Sequence, residues 1–340
     1  PPLWATLTQF LVPAGEQTFF LALWLLNLVS LVAFFFLLQR VLERYGFGGP
    51  LAAAVTTAFL LVNAPLLRTL VYVQVNLHTL NLILLAVLFY PRRPFLSALM
   101  LALAVNLKGS PLVLVLAFLL ERDWRWLAWF GISAAVVAGL TLVTDGIGPF
   151  QDVLRNWQGL ALSNNTIYHD TSFDSFVRSA AQFLPLGPAW TRGLIYAAKA
   201  LLAAAALWAV GRSARSLQFF GAPQPGSQLL NSIPALYVLM TLSAPVVWEH
   251  HGIFLALPFL LMLKRLERPG EWLWFAFAYL LEFLLPTFDF FPWSFGRLAA
   301  PMLILWLMWR DAEHKRESPV FSGLNRWLSK LPPVRLGAAT

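Results

Sequence analysis

The sequence predicts an all-α fold, a polytopic transmembrane helical bundle with about ten or eleven membrane segments. Three observations lead to this class. Of the 340 residues, 59% are hydrophobic and only 12% are charged, whereas an ordinary soluble domain is about a quarter charged. Mean hydropathy is +0.68. The lysines and arginines stand in short clusters between apolar runs, where membrane topology places them. A soluble globular domain is excluded, and the net charge of +8 does not indicate a nucleic-acid partner.

Several site types are missing from the sequence. There is no cysteine, which excludes disulfides, thiolate metal sites and cysteine nucleophiles. We find no nucleotide-binding Walker loop, no dinucleotide-binding glycine pattern and no HExxH motif. We therefore expect no cofactor, and energy for any reaction would come from an activated substrate, most simply a lipid-borne one.

The predicted spans follow from helix length. A helix of roughly 20 apolar residues crosses about 30 Å of hydrocarbon, and we measured such runs between the charge clusters. A polar stretch from Arg68 to His78 precedes the third span. The single spans are, in chain order, about Phe19–Leu38, Gly49–Val62, a third ending at Tyr90, Trp126–Val143, Leu194–Val210, Leu229–Val247, Gly252–Leu263, Trp272–Phe288 and Phe295–Trp309.

The remaining two segments form a predicted re-entrant pair. Lys108 lies in the middle of an apolar stretch between two basic clusters. One continuous helix would place those clusters on opposite sides of the membrane, against the positive-inside tendency. We therefore predict two short helices, Phe95–Leu107 and Ser110–Leu120, broken at Gly109 and Pro111. Lys108 would lie at the tip, inside the membrane.

This arrangement also predicts sidedness. The clustered face is cytoplasmic by the positive-inside tendency, and it carries Arg44, Arg93, Arg122, Arg212, Arg268 and Lys315. Seven of the 24 lysines and arginines are exceptions: Arg68, Lys108, Arg155, Arg178, Arg192, Lys199 and Arg297. We predict a transmembrane domain over 1–316, with 145–190 as one long extracytoplasmic loop, and a cytoplasmic tail over 317–340. The protein would be multi-pass in the plasma (inner) membrane, with its active site extracytoplasmic.

Polar groups inside a membrane are costly and are functional hypotheses by default. Lys108 suits a phosphate, since an ammonium is a compact charge with three donors; alternatively it snorkels or pairs with a carboxylate. In the run Trp248-Glu249-His250-His251, an imidazole could donate to a phosphate or a sugar hydroxyl, or the run could be an interfacial turn. Adjacent histidines point to different sides of a helix. A metal site needs about three or four converging ligands, and none is predicted.

Two further groups are candidates. Gln74 and Asn76 suit sugar hydroxyls because amides both donate and accept, although interhelical hydrogen bonding explains them equally well. Loops longer than about 15 residues are usually functional or disordered, and the aromatic residues of the long loop argue against disorder. Its polar residues are Asn164, Asn165, His169, Asp170, Asp174 and Arg178.

The order of several short motifs resembles glycosyltransferase family 87, polyprenyl-phosphate-sugar-dependent mannosyl- and arabinofuranosyltransferases of the GT-C class. The motifs are Pro1-Pro2-Leu3, Trp24, Asn27, Gln74-Val75-Asn76, Asn106-Leu107-Lys108-Gly109-Ser110-Pro111, Thr171-Ser172-Phe173 to Arg178, and Ser243 to His251. The resemblance covers most of the chain. Val73 departs from it, because the family usually has glycine before this glutamine.

The resemblance implies a GT-C-like transmembrane domain and a catalytic aspartate in a loop after a first helix. Pro1-Pro2 matches the pattern just beyond that loop, so we expect both the helix and the aspartate to lie before residue 1. No residue of this chain inherits the role of the base, and the catalytic residue is unknown.

The resemblance further implies transfer of a sugar, mannose or a similar pentose or hexose, from a polyprenyl-phosphate donor to a cell-envelope glycolipid or glycan. The partners would be these substrates and membrane lipids. Residues expected to bind substrate or lipid phosphate are Lys108, His250, His251, Glu249, Arg178, Gln74 and Asn76. Two alternatives stay open: a transporter or flippase of lipid-linked sugars, and a non-catalytic membrane subunit.

Overall fold

The computed structural model describes residues 2–162, 170–184, 187–216, 227–288, 290–311 and 317–330, and these residues form helices and turns without a β-strand. The all-α prediction is confirmed for this part of the chain. The α-helices are α1 Pro2–Thr8, α2 Glu16–Arg44, α3 Gly49–Leu61, α4 Ala64–Val71, α5 Asn76–Phe89, α6 Pro94–Leu107, α7 Val115–Leu120, α8 Trp124–Asp145, α9 Gly148–Leu162, α10 Phe173–Ala181, α11 Pro188–Ser216, α12 Ser227–Ser243, α13 Ala256–Met262, α14 Pro269–Tyr279, α15 Gly296–Asp311 and α16 Pro319–Leu328. Short 3₁₀ segments cover Gln9–Ala14, Ser110–Leu114, Glu249–Leu255 and Trp293–Phe295, and one π-helical turn covers Leu280–Leu284.

Within the described residues, two helices, α2 and α8, are long and apolar enough to cross a membrane, and they contain the predicted spans Phe19–Leu38 and Trp126–Val143. Helices α3 and α4 meet at an angle of 64° and together have the length of one further span. Several other apolar helices, among them α5 and α6, are shorter. The predicted count of ten or eleven membrane segments therefore stays a prediction.

Short polar side chains fix where several helices begin. Asn63 accepts a hydrogen bond from the backbone N–H of Leu66 at 2.8 Å and caps α4. Asp123 caps α8 in the same way, with the N–H of Trp126 at 3.1 Å. Such caps satisfy backbone donors that a helix leaves unpaired at its N-terminus. These two caps set the starts of α4 and α8 at the sequences Asn63-Ala64-Pro65 and Arg122-Asp123.

The predicted long loop is more helical than expected. It contains α9 and α10, and the aromatic residues of α10 anchor it to the bundle. Phe176 lies 5.4 Å from Phe295 and 6.0 Å from Phe291, measured between ring centres. Apolar burial of this kind holds the segment against the helices. Asn164, Asn165 and His169 lie outside the described residues.

Two predicted spans have different boundaries. The span Leu229–Val247 corresponds to α12, which ends at Ser243, because Pro245 disfavours helical geometry at the residue before it. The span Gly252–Leu263 begins as the 3₁₀ segment Glu249–Leu255 and becomes α-helical only from Ala256. Both changes occur beside the Trp248–His251 run and leave its backbone irregular.

The segment after Glu317 is held against the bundle. Ser318 donates its backbone N–H to the carbonyl of Lys264 at 2.9 Å. The backbone N–H of Gly48 donates to the side-chain oxygen of Asn325 at 2.8 Å, and the buried ring of Phe321 lies 4.6 Å from that of Phe47. Helix α16 thus lies at the same end of the bundle as Lys264; the cytoplasmic location of the tail stays a prediction.

Helix packing brings two helix ends and two 3₁₀ segments together. Helix α6 packs between α5 and α8, and α5 packs against α2. The 3₁₀ segment Glu249–Leu255 contacts α4, α5 and α12, and the 3₁₀ segment Ser110–Leu114 also contacts α12. The start of α5, the end of α6 and both 3₁₀ segments therefore meet at one place.

Candidate active site

The chain breaks at Lys108, as predicted. Helix α6 ends at Leu107, and Lys108 is extended, with φ −154° and ψ 122°. The chain continues as the 3₁₀ segment Ser110–Leu114 and then as α7. Pro111 lacks a backbone N–H and restricts the residue before it, so an uninterrupted helix through this point is disfavoured. The break leaves the Lys108 side chain at a helix end.

Asn76 connects Lys108 to the histidine run. The Nζ of Lys108 donates to Oδ1 of Asn76 at 2.6 Å, and Nδ2 of Asn76 donates to the backbone carbonyl of His250 at 3.0 Å. Lys108 also lies over the ring of Phe254, 5.1 Å from its centre. Asn76 is fully buried, so this geometry is set by the core. The prediction that Lys108 lies near the histidine pair is confirmed.

The two histidines point in different directions, as predicted. His251 accepts a hydrogen bond at Nδ1 from the backbone N–H of Trp248 at 3.1 Å, which fixes its ring orientation. Its ring meets that of His250 nearly edge to face, with centres 4.5 Å apart. His250 instead approaches Tyr72 at 6.2 Å. The two histidines therefore line two different cavities.

The first, the Lys108 cavity, has a volume of about 570 Å³. Lys108, Ser110 and His251 supply polar groups. Its other walls are largely apolar and come from Leu112, Val113, Leu116, Met240, Ala244, Pro245, Val246, Val247 and Phe254, with Thr241 and Ser243 beside them. A cationic group in a mostly apolar cavity suits an anionic head joined to a hydrocarbon chain.

The second, the Glu249 cavity, has a volume of about 440 Å³ and is lined by Arg68, Tyr72, Trp248, Glu249, His250, Pro286 and Thr287. Glu249 pairs with two arginines: Arg68 Nε lies 3.2 Å from Oε2, and Arg297 Nη2 lies 2.6 Å from Oε1. Aromatic rings beside a carboxylate can contact the faces and hydroxyls of a sugar. Glu249 thus lies in a different cavity from Lys108, although the two are close in the fold.

The third, the Arg178 cavity, has a volume of about 350 Å³ and includes Asp174, Arg178, Arg192, Tyr196 and Lys199 in its lining. Lys199 Nζ lies 2.6 Å from Oδ1 of Asp174. The structure therefore separates Arg178 from the Lys108 cavity, which the sequence could not indicate. Gln74 is half-buried, donates to the backbone carbonyl of Tyr72 at 3.4 Å, and does not line any of these three cavities.

Sequence reasoning gave no particular role to Arg297 or to the contacts of Asp170. Oδ1 of Asp170 accepts the backbone N–H groups of Val247 at 2.8 Å and Ser172 at 3.0 Å. The backbone N–H of Thr171 also donates to the backbone carbonyl of Val247, at 2.8 Å. Burial raises the pKa of Asp170, and these backbone donors oppose the shift. Asp170 fastens the long loop to the wall of the Lys108 cavity.

The chain is similar to the polyprenol-phosphate-mannose-dependent alpha-(1-2)-phosphatidylinositol mannoside mannosyltransferase of Mycobacterium tuberculosis, 28% identical over 212 residues. The match covers 59% of this chain and 44% of the relative, so the chain spans less than half of that protein. No solved structure matches. The sequence model described as "Glycosyltransferase family 87" matches residues 1–222, well over half of the chain, and the protein belongs to that family.

Proposed function

We propose that this protein is a membrane glycosyltransferase that moves a sugar, mannose or a similar hexose or pentose, from a polyprenyl-phosphate donor. The acceptor is a glycolipid or glycan of the cell envelope, and the reaction takes place on the extracytoplasmic face. The dependence of the relative on polyprenol-phosphate-mannose and its glycolipid acceptor support both substrate classes. Family membership supports the reaction type.

The Lys108 cavity is the observation on which this proposal depends. An ammonium and an imidazole lie at a cavity whose remaining surface is mostly apolar. A polyprenyl phosphate has matching parts, a phosphate and a long hydrocarbon chain. Lys108 is fixed by Asn76 rather than by a carboxylate, so its positive charge is not neutralised at that contact.

The chemistry assigns Lys108 to the leaving group. The acceptor oxygen forms a bond to the anomeric carbon while the bond from that carbon to the phosphate oxygen breaks. The electron pair of the broken bond goes to the polyprenyl phosphate, whose negative charge therefore rises in the transition state. A fixed cation and a neighbouring donor stabilise that charge, and no general acid is needed. The acceptor proton goes to a base that we do not assign to any described residue.

Transfer of radiolabelled sugar tests the proposal. Membranes of cells that express the protein would receive labelled polyprenyl-phosphate sugars, and label would be followed into chloroform-soluble glycolipids and into glycans. We expect incorporation from at least one donor and none in membranes without the protein. Movement of the intact donor across sealed vesicles without transfer would instead identify a flippase.

Cysteine labelling tests the sidedness. Because the native chain has no cysteine, single cysteines can be introduced at Arg44, Arg93, Arg122 and Arg268 and, for the outer face, at Asn165. We expect a membrane-impermeant maleimide applied to intact cells to label only the cysteine at 165, and all positions after permeabilisation. External labelling at position 93 would disprove the topology.

Substitutions of Asp170 distinguish a structural role of this residue from a catalytic one. Replacing Asp170 with alanine leaves two buried N–H groups without this acceptor and should destabilise the protein by about 2–6 kcal/mol, since each unpaired donor costs roughly 1–3 kcal/mol. Asp170→Asn keeps an acceptor oxygen and should retain most of the thermal stability and the sugar transfer. Asp152→Asn, at an exposed loop carboxylate, is the control.

Comparing Asp170→Asn with the control Asp152→Asn also tests whether Asp170 is the catalytic base. A base gives up its function when its carboxylate becomes an amide, and general-base catalysis contributes typically 10²–10⁴-fold. A folded Asp170→Asn protein without activity would therefore show that Asp170 takes the acceptor proton. The melting temperature separates that outcome from misfolding.

A further inference from the structure

Helix α16 carries an apolar stripe that the bundle does not cover. Val320, Leu324 and Trp327 are 50%, 46% and 61% exposed. They are separated by four and three residues, the spacing that places side chains on one face of an α-helix. A helix of a solvated tail would carry polar groups on its outer face. The stripe therefore needs a covering surface from outside the bundle.

The opposite face of α16 fixes the direction of this stripe. Phe321 is buried against Phe47, Leu328 packs against the core, and Asn325 accepts the backbone N–H of Gly48 at 2.8 Å. A Cβ atom added at Gly48 would lie only 2.5 Å from Oδ1 of Asn325, so the helix lies directly on the backbone at this point. These contacts prevent α16 from turning its stripe towards the bundle.

The same contacts place α16 at the edge of the apolar bundle. Gly48 belongs to the connection between α2, which ends at Arg44, and α3, which begins at Gly49. Helix α2 has the length of a membrane span, and α3 is the first half of the bent pair. A connection between two spans lies near the boundary between hydrocarbon and headgroups. With 10 residues, α16 is about 15 Å long, too short to cross the membrane but able to lie along its surface.

Positive charge accompanies the stripe. Arg326, next to Trp327 in the sequence, is exposed, and so is Lys330, just after the end of the helix. Neither cation has a carboxylate partner among the residues that the structure describes. Surface helices that combine an apolar face with lysine or arginine bind membrane surfaces, and anionic lipids strengthen that binding.

We propose that α16 is an interfacial anchor, whose stripe enters the boundary between headgroups and acyl chains in a leaflet that contains anionic phospholipid. Val320 and Leu324 contact the first acyl carbons, and the indole of Trp327 lies at headgroup level, where tryptophan is enriched in membrane proteins. Arg326 and Lys330 contact the lipid phosphates. The predicted tail is thus membrane-bound over α16. This anchor does not depend on the proposed sugar transfer.

A protein partner fits the stripe less well than a bilayer does. Three side chains, each about half exposed, offer far less than the roughly 800 Å² per partner that a specific protein interface buries. A bilayer has no such minimum, because it already surrounds the neighbouring spans at this level. The unpaired cations also complement a surface of phosphates.

Single cysteines can report the surroundings of the stripe in the whole protein, since the native chain has none. Leu324→Cys and Val320→Cys lie on the stripe, and Ser329→Cys is an exposed control outside it. Each would be labelled with the fluorophore NBD and placed in nanodiscs of phosphatidylcholine and phosphatidylglycerol. We expect blue-shifted emission at 324 and 320, with quenching by lipids that carry a nitroxide on the acyl chain. Emission at 329 should stay that of a water-exposed label.

Varying the fraction of phosphatidylglycerol tests the two cations. In the Leu324→Cys protein we expect Arg326→Gln and Lys330→Gln each to raise the fraction needed for half of the blue shift. The expected increase is about fivefold, the effect of roughly 1 kcal/mol per cation near an anionic surface. Arg155→Gln removes an equal charge away from α16, at a side chain that is 73% exposed, and should not change this fraction.

The outcomes decide between lipid and protein as the covering surface. Water-exposed labels at both 320 and 324, in protein that size-exclusion chromatography shows to be folded, would overturn the anchor and leave the stripe to a protein partner. A blue shift only in nanodiscs that hold two copies would assign the stripe to a second chain and overturn it as well. A shift that is equal at every phosphatidylglycerol fraction, or an equal effect of Arg155→Gln, would overturn the role of anionic lipid. No sugar transfer is measured, so failure of the proposed function leaves each of these results unchanged.

Discussion

Replacing Lys108 with glutamine should lower kcat/KM for sugar transfer by about 10²–10³-fold, the usual effect of removing one donor that stabilises a developing oxyanion. Glutamine is one bond shorter than lysine and carries a neutral N–H donor on the side of Oδ1 of Asn76, where the native Nζ lies at 2.6 Å. The variant therefore keeps a polar donor at this position and loses the charge. Because negative charge on the phosphate increases in the transition state, the loss should fall mainly on kcat.

The controls isolate the charge. Lys108→Arg keeps it with a different shape and should retain part of the activity, and Ser110→Ala removes a neutral polar group from the same cavity with a smaller effect. All three variants are compared at equal amounts of monodisperse protein. A Lys108→Gln protein with native kcat would remove Lys108 from the reaction and, with it, the observation on which the donor site depends.

The break at Lys108 shows what local sequence can predict. Gly109 and Pro111 disfavour a continuous helix for steric reasons that act within a few residues, and the structure has the break at the predicted place. The adjacent histidines point apart for a similarly local reason, the angular spacing of neighbouring residues. Both features needed no knowledge of the tertiary fold.

Contacts between distant segments could not be predicted in the same way. Asn76 joins Lys108 to a carbonyl 174 residues further along the chain, and amide chemistry alone suited a sugar hydroxyl equally well. Arg178 was grouped with Lys108 because both are cations expected to bind the lipid phosphate, whereas the packing of α10 against α11 places it in a separate cavity. The charge pattern predicted which side of the membrane these residues face. How they are distributed among separate cavities on that side depends on helix packing, which the charge pattern does not predict.

Arg297 was visible in the sequence only as a cation against the topological pattern. Its partners come from two segments: Glu249 in the 3₁₀ segment Glu249–Leu255, and the backbone carbonyls of Glu282, within the π-helical turn, and of Leu285, the residue after it. No spacing rule connects these positions. The predicted helix Trp272–Phe288 hid the irregular turn in which those carbonyls become available.

Replacing Arg297 with methionine should destabilise the protein by about 3–5 kcal/mol, the usual effect of breaking a buried ion pair from one side. Only 5% of its side chain is exposed, and its Nη2 lies 2.6 Å from both Glu249 Oε1 and the carbonyl of Leu285. Methionine fills similar volume but leaves a carboxylate and two carbonyls without their donor. The melting temperature in detergent, followed by tryptophan fluorescence, measures the loss.

Arg68 is the matched control, because it pairs with the same carboxylate from outside. Its side chain is 46% exposed and its Nε lies 3.2 Å from Glu249 Oε2, so Arg68→Met should cost about 1 kcal/mol or less, as exposed pairs do. Combining Arg297→Met with Glu249→Gln removes the negative charge that has lost its buried partner, and should restore part of the lost stability. Equal melting temperatures for Arg68→Met and Arg297→Met, or no recovery in the double variant, would show that desolvation of the buried charge does not control this site. The unequal result would establish Arg297 as the residue that holds Glu249 in place in the lining of the Glu249 cavity.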